Sequence, residues 1–521
     1  MFPKQIIITI FYVLSLSTYS LVAQSTGKTQ GSVGAVTLDN KVWNQVALRP
    51  VIPFGKFGLA LDLVIYFDEH GNIHRDEWDF SNSKAVKNTL IDKIYYLRYG
   101  FPGDPLYGKI GALDRVDLGY GILVSEYSNA LLFPQVRKIG MDLEYNGKKF
   151  NAESFLNDFK ENIGLFGIRV GTRKFFNLPM AVSVVGDRNQ YLGLKDSDDD
   201  GRPDLVDDFP DSKKWWVDTD GDGLADNDPN EMDIDGDGIT DTLDSRVPGW
   251  NGGTLVLDQD IIRKGEPLNL TSNRDPVYGL AFDVGLPLLA EKRLLISLYA
   301  EAAKLIGKTP NPDGSGSSNL GMGFVPLGVA SRFGPAKFNF EYRIIPDGRF
   351  EFGYWDRAYE IERITVSADT SGDLQLISKE SRLGRFGKQS GYFGRLSLNL
   401  GSAVVAIASY NNMVGELWSA ESEKFTRRYN RNFRASLHLK KSLGRLNNAR
   451  VFYQQRNVPN PFKFEFSEST VLGYQVGISM GSGLVLKYTF RRTFRDMNGD
   501  GIIRGAAEKI DITNIETSFN L

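Results

Sequence analysis

From Arg293 to its end the chain alternates apolar and polar side chains in one run after another, and the runs are long. Leu294, Ile296, Leu298, Ala300 and Ala302 fall on one face of the first run, with Ser297, Tyr299 and Glu301 on the other. A period of two is the signature of a β-strand, whose successive side chains point to opposite faces. The same alternation sets Phe338, Phe340, Tyr342 and Ile344 against Asn339, Glu341 and Arg343, and Leu396, Leu398 and Leu400 against Arg395, Ser397 and Asn399. It sets Phe433, Ala435, Leu437 and Leu439 against Arg434, Ser436, His438 and Lys440. It returns from Tyr474 to Met480 and from Leu484 to Phe490, where Lys487 and Arg491 lie on the polar face. Runs of roughly 9 to 12 residues suit a tilted strand crossing a bilayer and exceed the ~5–6 residues of soluble strands. One face suits lipid and the other a wet interior, so the expected fold is all-β: a transmembrane antiparallel β-barrel of roughly 14–18 strands.

The remaining chain divides around this signal. Met1 to Ala23 reads as a signal peptide, with Lys4 before an apolar stretch and a small residue at the cut, which predicts export. Residues 24–194 read as a β-rich first part of the barrel, residues 195–248 as an acidic insertion, and residues 249–521 as the remaining barrel strands. In the first part, Phe57–Phe67, Tyr95–Tyr99, Leu106–Leu113, Val116–Val124, Ile139–Tyr145 and Ile163–Thr172 are strand candidates. Ser83–Asp92 and Ala152–Lys160 look helical and predict plug or cap elements. The 521 residues include no cysteine and three histidines, which excludes disulfides, thiol chemistry and cysteine-held metal clusters and argues against a histidine-based catalytic site. The basic residues are dispersed along strands, which argues against nucleic-acid binding. With no P-loop, H-E-x-x-H or G-x-S-x-G pattern, the chain reads as a non-enzyme.

The near-neutral total charge of −3 conceals a concentrated block. Asp196 to Asp244 holds eighteen aspartates and one glutamate against Arg202, Lys213 and Lys214, a net −16 that leaves +13 on the rest of the chain. Within it one pattern occurs three times. Asp196, Asp198, Asp200 and Asp204 occupy positions 1, 3, 5 and 9 around Gly201 at position 6; Asp218, Asp220, Asp222 and Asp226 repeat this around Gly223, and Asp233, Asp235, Asp237 and Asp241 around Gly238. Position 12 is Asp207 in the first copy and Asp244 in the third, but Pro229 in the second. A hard dication takes six to eight oxygens, and a chain curling through glycine at position 6 presents alternate carboxylates inward, which favours Ca²⁺ as the bound ion. At Asp496-Met497-Asn498-Gly499-Asp500-Gly501 a fourth, partial copy lacks the carboxylates of positions 9 and 12.

At these aspartates the sequence resembles the thrombospondin type 3 repeat, D-x-D-x-D-G-x-x-D-x-x-D. The resemblance covers about 50 residues and implies repeats ordered by calcium rather than by a hydrophobic core of their own. The final run, Ile515, Thr517, Phe519 and Leu521 against Asn514, Glu516, Ser518 and Asn520, is similar to the closing strand of outer-membrane barrels, although their usual terminal Phe is here Leu521. The expected protein is a calcium-binding outer-membrane barrel in contact with outer-membrane lipid: a porin, a transport channel or a surface scaffold with a surface or periplasmic protein partner. Arg343, Arg395, Arg434, Lys440, Lys487 and Arg491 would face the lumen with Glu301, Glu341 and Glu516, a basic excess that favours anionic solutes. The alternative is a secreted or cell-surface calcium-dependent adhesin built of β-sandwich domains.

Overall fold

The computed structural model describes residues 28–38, 41–74, 76–161, 163–172, 178–238, 240, 263–291, 294–368, 374–401, 403–496, 503–506 and 508–520. The expected signal segment, Asp241, Asp244 and most of the partial copy after Asp496 lie outside these residues.

Twenty strands close into one antiparallel barrel. In the first half they are β1 (Lys28–Leu38), β2 (Lys41–Phe54), β3 (Phe57–Leu61 and Leu63–Phe67, interrupted at Asp62), β4 (Ile94–Tyr99), β5 (Leu106–Gly111), β6 (Gly140–Asn146), β7 (Phe150–Leu156), β8 (Leu165–Thr172) and β9 (Met180–Asp187). After the acidic segment come β10 (Val277–Ala290), β11 (Leu294–Ile306), β12 (Met322–Phe333), β13 (Ala336–Ile345), β14 (Phe386–Leu400), β15 (Val404–Ser419) and β16 (Lys424–Leu439). The last four are β17 (Leu446–Val458), β18 (Val471–Gly481), β19 (Leu484–Phe494) and β20 (Lys509–Asn520). Each strand pairs with the next, and β20 returns to β1 with Gly31 opposite Phe519 and Gly34 opposite Glu516. Glycine at 34 lets the closing strands approach: a β-carbon there would lie 1.9 Å from the Ile515 carbonyl oxygen. Closure leaves no unpaired edge, which is the condition for strands to cross lipid.

The count exceeds the expected 14–18. Two of the extra strands, β1 and β2, hide from a hydrophobicity reading because Gly31 and Gly34 dilute one and Pro50 and Pro53 punctuate the other. Their membership is set by pairing to β20 and β3. Ser83–Asp92 is a helix as expected, α1, with the Asn82 side chain accepting the Ala85 amide at its N-terminus. Ala152–Lys160 is not: β7 runs through Leu156 and a 3₁₀ turn follows at Phe159–Glu161, because hydrogen bonding to both β6 and β8 overrides helical propensity. Val116–Val124 is not a barrel strand either. It belongs to the β5–β6 connection, which folds into the barrel.

All long connections lie at one end. The β3–β4, β5–β6, β9–β10, β11–β12 and β13–β14 segments follow odd-numbered strands, whereas β2–β3, β6–β7, β12–β13 and β18–β19 are joined by two or three residues at the opposite end, where β1 starts and β20 stops. Two of the long segments, 112–139 and the described residues of 346–385, plug the barrel. Leu123, Tyr127, Phe350, Tyr354, Trp355 and Tyr359 pack there against inward residues of β9 to β13 such as Val185, Leu305 and Val325. The outward faces carry the apolar residues of the alternation, with Phe340, Leu396, Leu437 and Ile515 each about two-fifths exposed or more. A closed barrel with an apolar outer band is an outer-membrane protein in contact with lipid, and a cationic side chain placed mid-depth on that band costs about 2–4 kcal/mol. One continuous sheet also sets aside the sandwich-domain alternative.

Candidate functional site

Two places concentrate charge: the plugged lumen and the acidic insertion. In the lumen, the charged residues expected to face inward do so except Lys440, which lies past the end of β16 and is exposed, but their surroundings differ from those of an open pore. Glu301, Glu341 and Glu516 are 4%, 1% and 3% exposed, covered rather than lining water. Glu341 accepts the Tyr299 hydroxyl at 2.7 Å and pairs with Arg343 at 2.6 Å; Lys487 reaches Glu516 at 3.3 Å.

The plug supplies most of the remaining partners. Segment 112–127 leaves β5 and crosses to the far wall, where Asp114 lies 3.9 Å from Arg450 on β17 and Asp117 lies 3.9 Å from Arg395 on β14. Glu126 takes Arg395 on one carboxylate oxygen and Arg434 on the other, the latter at 2.7 Å. Asp356, in the second plug segment, holds Arg434 at 2.8 Å and Arg456 at 2.8 Å. Arg491 donates to the carbonyls of Ala130, Leu131 and Phe133. Of the basic residues read from the strands, Arg395 and Arg434 are thus neutralised by acids on loops whose position no periodicity reveals, and Arg343 and Lys487 by glutamates of the wall. Asp114 is 68% exposed although it sits inside the barrel, so water reaches between strap and wall.

The acidic insertion follows β9 and returns to β10 through a closed neck. Gln190, fully buried, donates its amide to the Asp275 carbonyl at 2.9 Å and its side chain to the Asp275 carboxylate at 3.1 Å. Its side-chain oxygen accepts the Tyr354 hydroxyl at 2.9 Å, which ties the neck to the plug. Glu380 stands against Asp275. Burial first, then the Asp275 carboxylate, pushes Glu380 up to about 8. A carboxyl raised in this way stabilises the fold fully below its ordinary value of 4.5, and that contribution is lost as pH climbs towards 8. Amide hydrogen exchange at Gln190 and Glu380 is thus expected to quicken between pH 5 and 8 beyond its intrinsic pH dependence, and Glu380→Gln should flatten the excess; an equal excess in the variant would show that Glu380 is not the titrating group.

Within the insertion the three copies curl alike. The position-1 carboxylate accepts the amide of the position-6 glycine at 2.9 Å in each: Asp196 from Gly201, Asp218 from Gly223, Asp233 from Gly238. Those glycines have φ of +93°, +94° and +89°, a left-handed conformation that disfavours other residues. Oxygens of Asp196, Asp198 and Asp200 lie within 4.8 Å of one another, as do those of Asp218, Asp220 and Asp222 and those of Asp233, Asp235 and Asp237. Position 9 faces a different task. Asp204 accepts the amide and hydroxyl of Ser197, both at 2.7 Å, and Asp226 those of Thr219 at 2.8 and 2.7 Å, so each latches its loop at position 2. Asp207 at position 12 is 8% exposed, and its Oδ2, like those of Asp198 and Asp200, has no hydrogen-bond partner among the described residues. Burial first, opposed by the Phe209 amide, and then the charges of Asp200, Asp198 and Asp204 push Asp207 up to about 6. Buried, unpartnered carboxylate oxygens suit a hard dication. Trp216 packs within the segment: its indole donates to Glu266 at 2.8 Å and its ring lies under Arg202.

No protein-family model matches the chain, and no curated protein matches it. Among solved structures it is similar to OccK5 (OpdH) of Pseudomonas aeruginosa, at 8% identity and a TM-score of 0.32 over 95% of this chain and 97% of that one. OccAB2 of Acinetobacter baumannii gives 9% identity and 0.33 over 95% and 96%. CdiB of the same organism gives 8% and 0.24 over 96% of this chain, which spans 61% of that chain's length.

Proposed function

We propose that the protein is an outer-membrane channel for small polar solutes, crowned by a calcium-ordered loop domain. The observation that carries the channel reading is a charged, water-reached interior inside a closed barrel: inward-facing Arg450 and the strap residue Asp114 are 33% and 68% exposed. The insertion shares the end of the barrel that carries the long connections, and in barrels of this kind long loops face outward and short turns face the periplasm. The calcium sites would therefore face the cell exterior, held by Asp196, Asp198, Asp200 and Asp207, by Asp218, Asp220 and Asp222, and by Asp233, Asp235 and Asp237. Bound calcium would relieve the repulsion among these carboxylates and order the loops. With acids of the plug offsetting the wall arginines, any anion preference is modest.

Conductance of the purified, heat-modifiable protein in planar bilayers tests this reading. Stepwise channel insertions with a small chloride preference are expected. A barrel that shifts on gels when heated yet never conducts would replace the channel with the surface-scaffold reading.

A further inference from the structure

Among the charged residues of the plug, Arg357 stands apart. Its neighbours are tied: Asp356 to Arg434 and Arg456, and Arg363 to Asp187 and Glu161. Arg357 is 9% exposed, yet among the described residues no carboxylate lies within ion-pair distance and no hydrogen-bond acceptor meets its guanidinium. The guanidinium lies 5.7 Å from the centre of the Phe452 ring, which faces the lumen from β17. The charges acting on it are Glu126, Arg450, Arg434 and Asp114. Glu126 is already shared by Arg395 and Arg434, and Asp114 stands beside Arg450. A buried cation with a second cation beside it and no counter-ion of its own is strongly unfavourable unless something negative joins it. Its nitrogens are not sealed in, since none is among the buried polar atoms left without a partner. Two of the charged groups acting on it, Arg450 and Asp114, are themselves reached by water, being 33% and 68% exposed.

We infer that Arg357 and Arg450 form an oxyanion site in the lumen that takes the carboxylate or phosphate group of a passing solute. The inference deepens the channel reading and rests on it for the solute's passage, though not for the binding itself. A planar guanidinium accepts two oxygens of a carboxylate or phosphate in a fork, and Arg357 has its donors free for that. Arg450 adds a second charge from the wall. Phe452 offers an apolar floor but no competing acceptor. Glu126 opposes the ligand, which keeps binding weak enough for release, as transport requires.

The test separates binding from conduction. Isothermal titration of the detergent-solubilised full-length protein with inorganic phosphate, and separately with succinate, is run in chloride at constant ionic strength. Saturable binding is expected, with phosphate and succinate as separate arms that report which oxyanion the site prefers. Arg357→Gln should weaken the preferred anion at least tenfold, and Arg357→Lys, which keeps charge but loses the fork, should fall between. Heat-dependent gel mobility verifies that each variant is folded; should Arg357→Gln not fold, Arg450→Gln carries the same expectation from the wall. Unchanged binding in a folded variant, or no binding of either anion by the parent, overturns the site. In bilayers, the bound anion should reduce chloride conductance in the parent and not in the variant. Binding lost with Arg357 in a protein that never conducts upholds the site and removes the channel, whereas conduction without binding keeps the channel and removes the site.

Discussion

Replacing Glu126 by glutamine is expected to loosen the plug and make the lumen more selective for anions. Glu126 bridges Arg395 on β14 and Arg434 on β16, so one carboxylate pins the first plug segment to two strands of the far wall. Its backbone lies at φ +56°, a left-handed conformation that costs a non-glycine residue about 1–2 kcal/mol, with its amide donating to Asp117 at 2.8 Å. Removing one partner from a buried ion pair typically costs about 3–5 kcal/mol, since the remaining charge stays buried. Arg434 keeps Asp356, and among the described residues Arg395 keeps only Asp117 at 3.9 Å, so the loss should fall mainly on Arg395. For permeation, one negative charge about 7 Å from an ion's path in water is worth roughly 0.6 kcal/mol, or about a threefold change. The charge repels chloride and attracts potassium alike, so the chloride-to-potassium permeability ratio should rise about sevenfold, and the plug's amides should exchange faster. A variant with the parent's ratio and exchange rates would show that the strap is not held by this residue.

Chelating calcium is expected to open the insertion while leaving the barrel intact. The segment carries Lys213 and Lys214 amid its acids, which makes trypsin a direct probe of its order. With calcium at a hundred times its dissociation constant, linkage favours the ordered form by about 2.7 kcal/mol, so cleavage at these residues should be roughly a hundredfold slower than in chelator. Magnesium should protect far less, because its smaller shell demands a stricter octahedron. Asp198→Asn combined with Asp200→Asn removes two carboxylates with unpartnered oxygens and should abolish protection at Lys213, the first cleavable site after that copy. Equal cleavage with calcium and with chelator in the parent would remove calcium from the proposal. The barrel fragment should survive in all cases, because its strands are ordered by a closed hydrogen-bond ladder that needs no ion.

Much of the barrel was legible because lipid and lumen impose opposite demands on successive residues. Arg395 with Leu396, Arg434 with Leu437, and Lys487 with Leu486 announce inward and outward faces without any knowledge of neighbours. The first half was harder to read. Val116–Val124 has the composition of a strand but lies in the lumen, where its apolar residues meet the Trp355 and Tyr359 side of the second plug segment. Ala152–Lys160 has helical propensity but is claimed by pairing on both sides. The aspartate spacing foretold the curled loops at positions 1, 3, 5 and 6. It did not foretell that Asp204 and Asp226 would turn to Ser197 and Thr219, although a hydroxyl residue at position 2 of both copies was a signal available to be read. Nothing in the sequence marked Arg357, Glu380 or Gln190, because their significance depends on what faces them.

The sequence by itself determined the strand character, the division into lipid-facing and inward residues, and the repeated aspartate turns, because each follows from a period shorter than about ten residues acting on the chain locally. The tertiary structure alone decided the number of strands, the closure of β20 on β1 and the filling of the lumen. It also decided which acids neutralise which arginines. Those outcomes depend on contacts between segments far apart in the chain, such as Glu126 with Arg434, and the free energy of a buried charge is set by its partner across the barrel rather than by its neighbours in sequence.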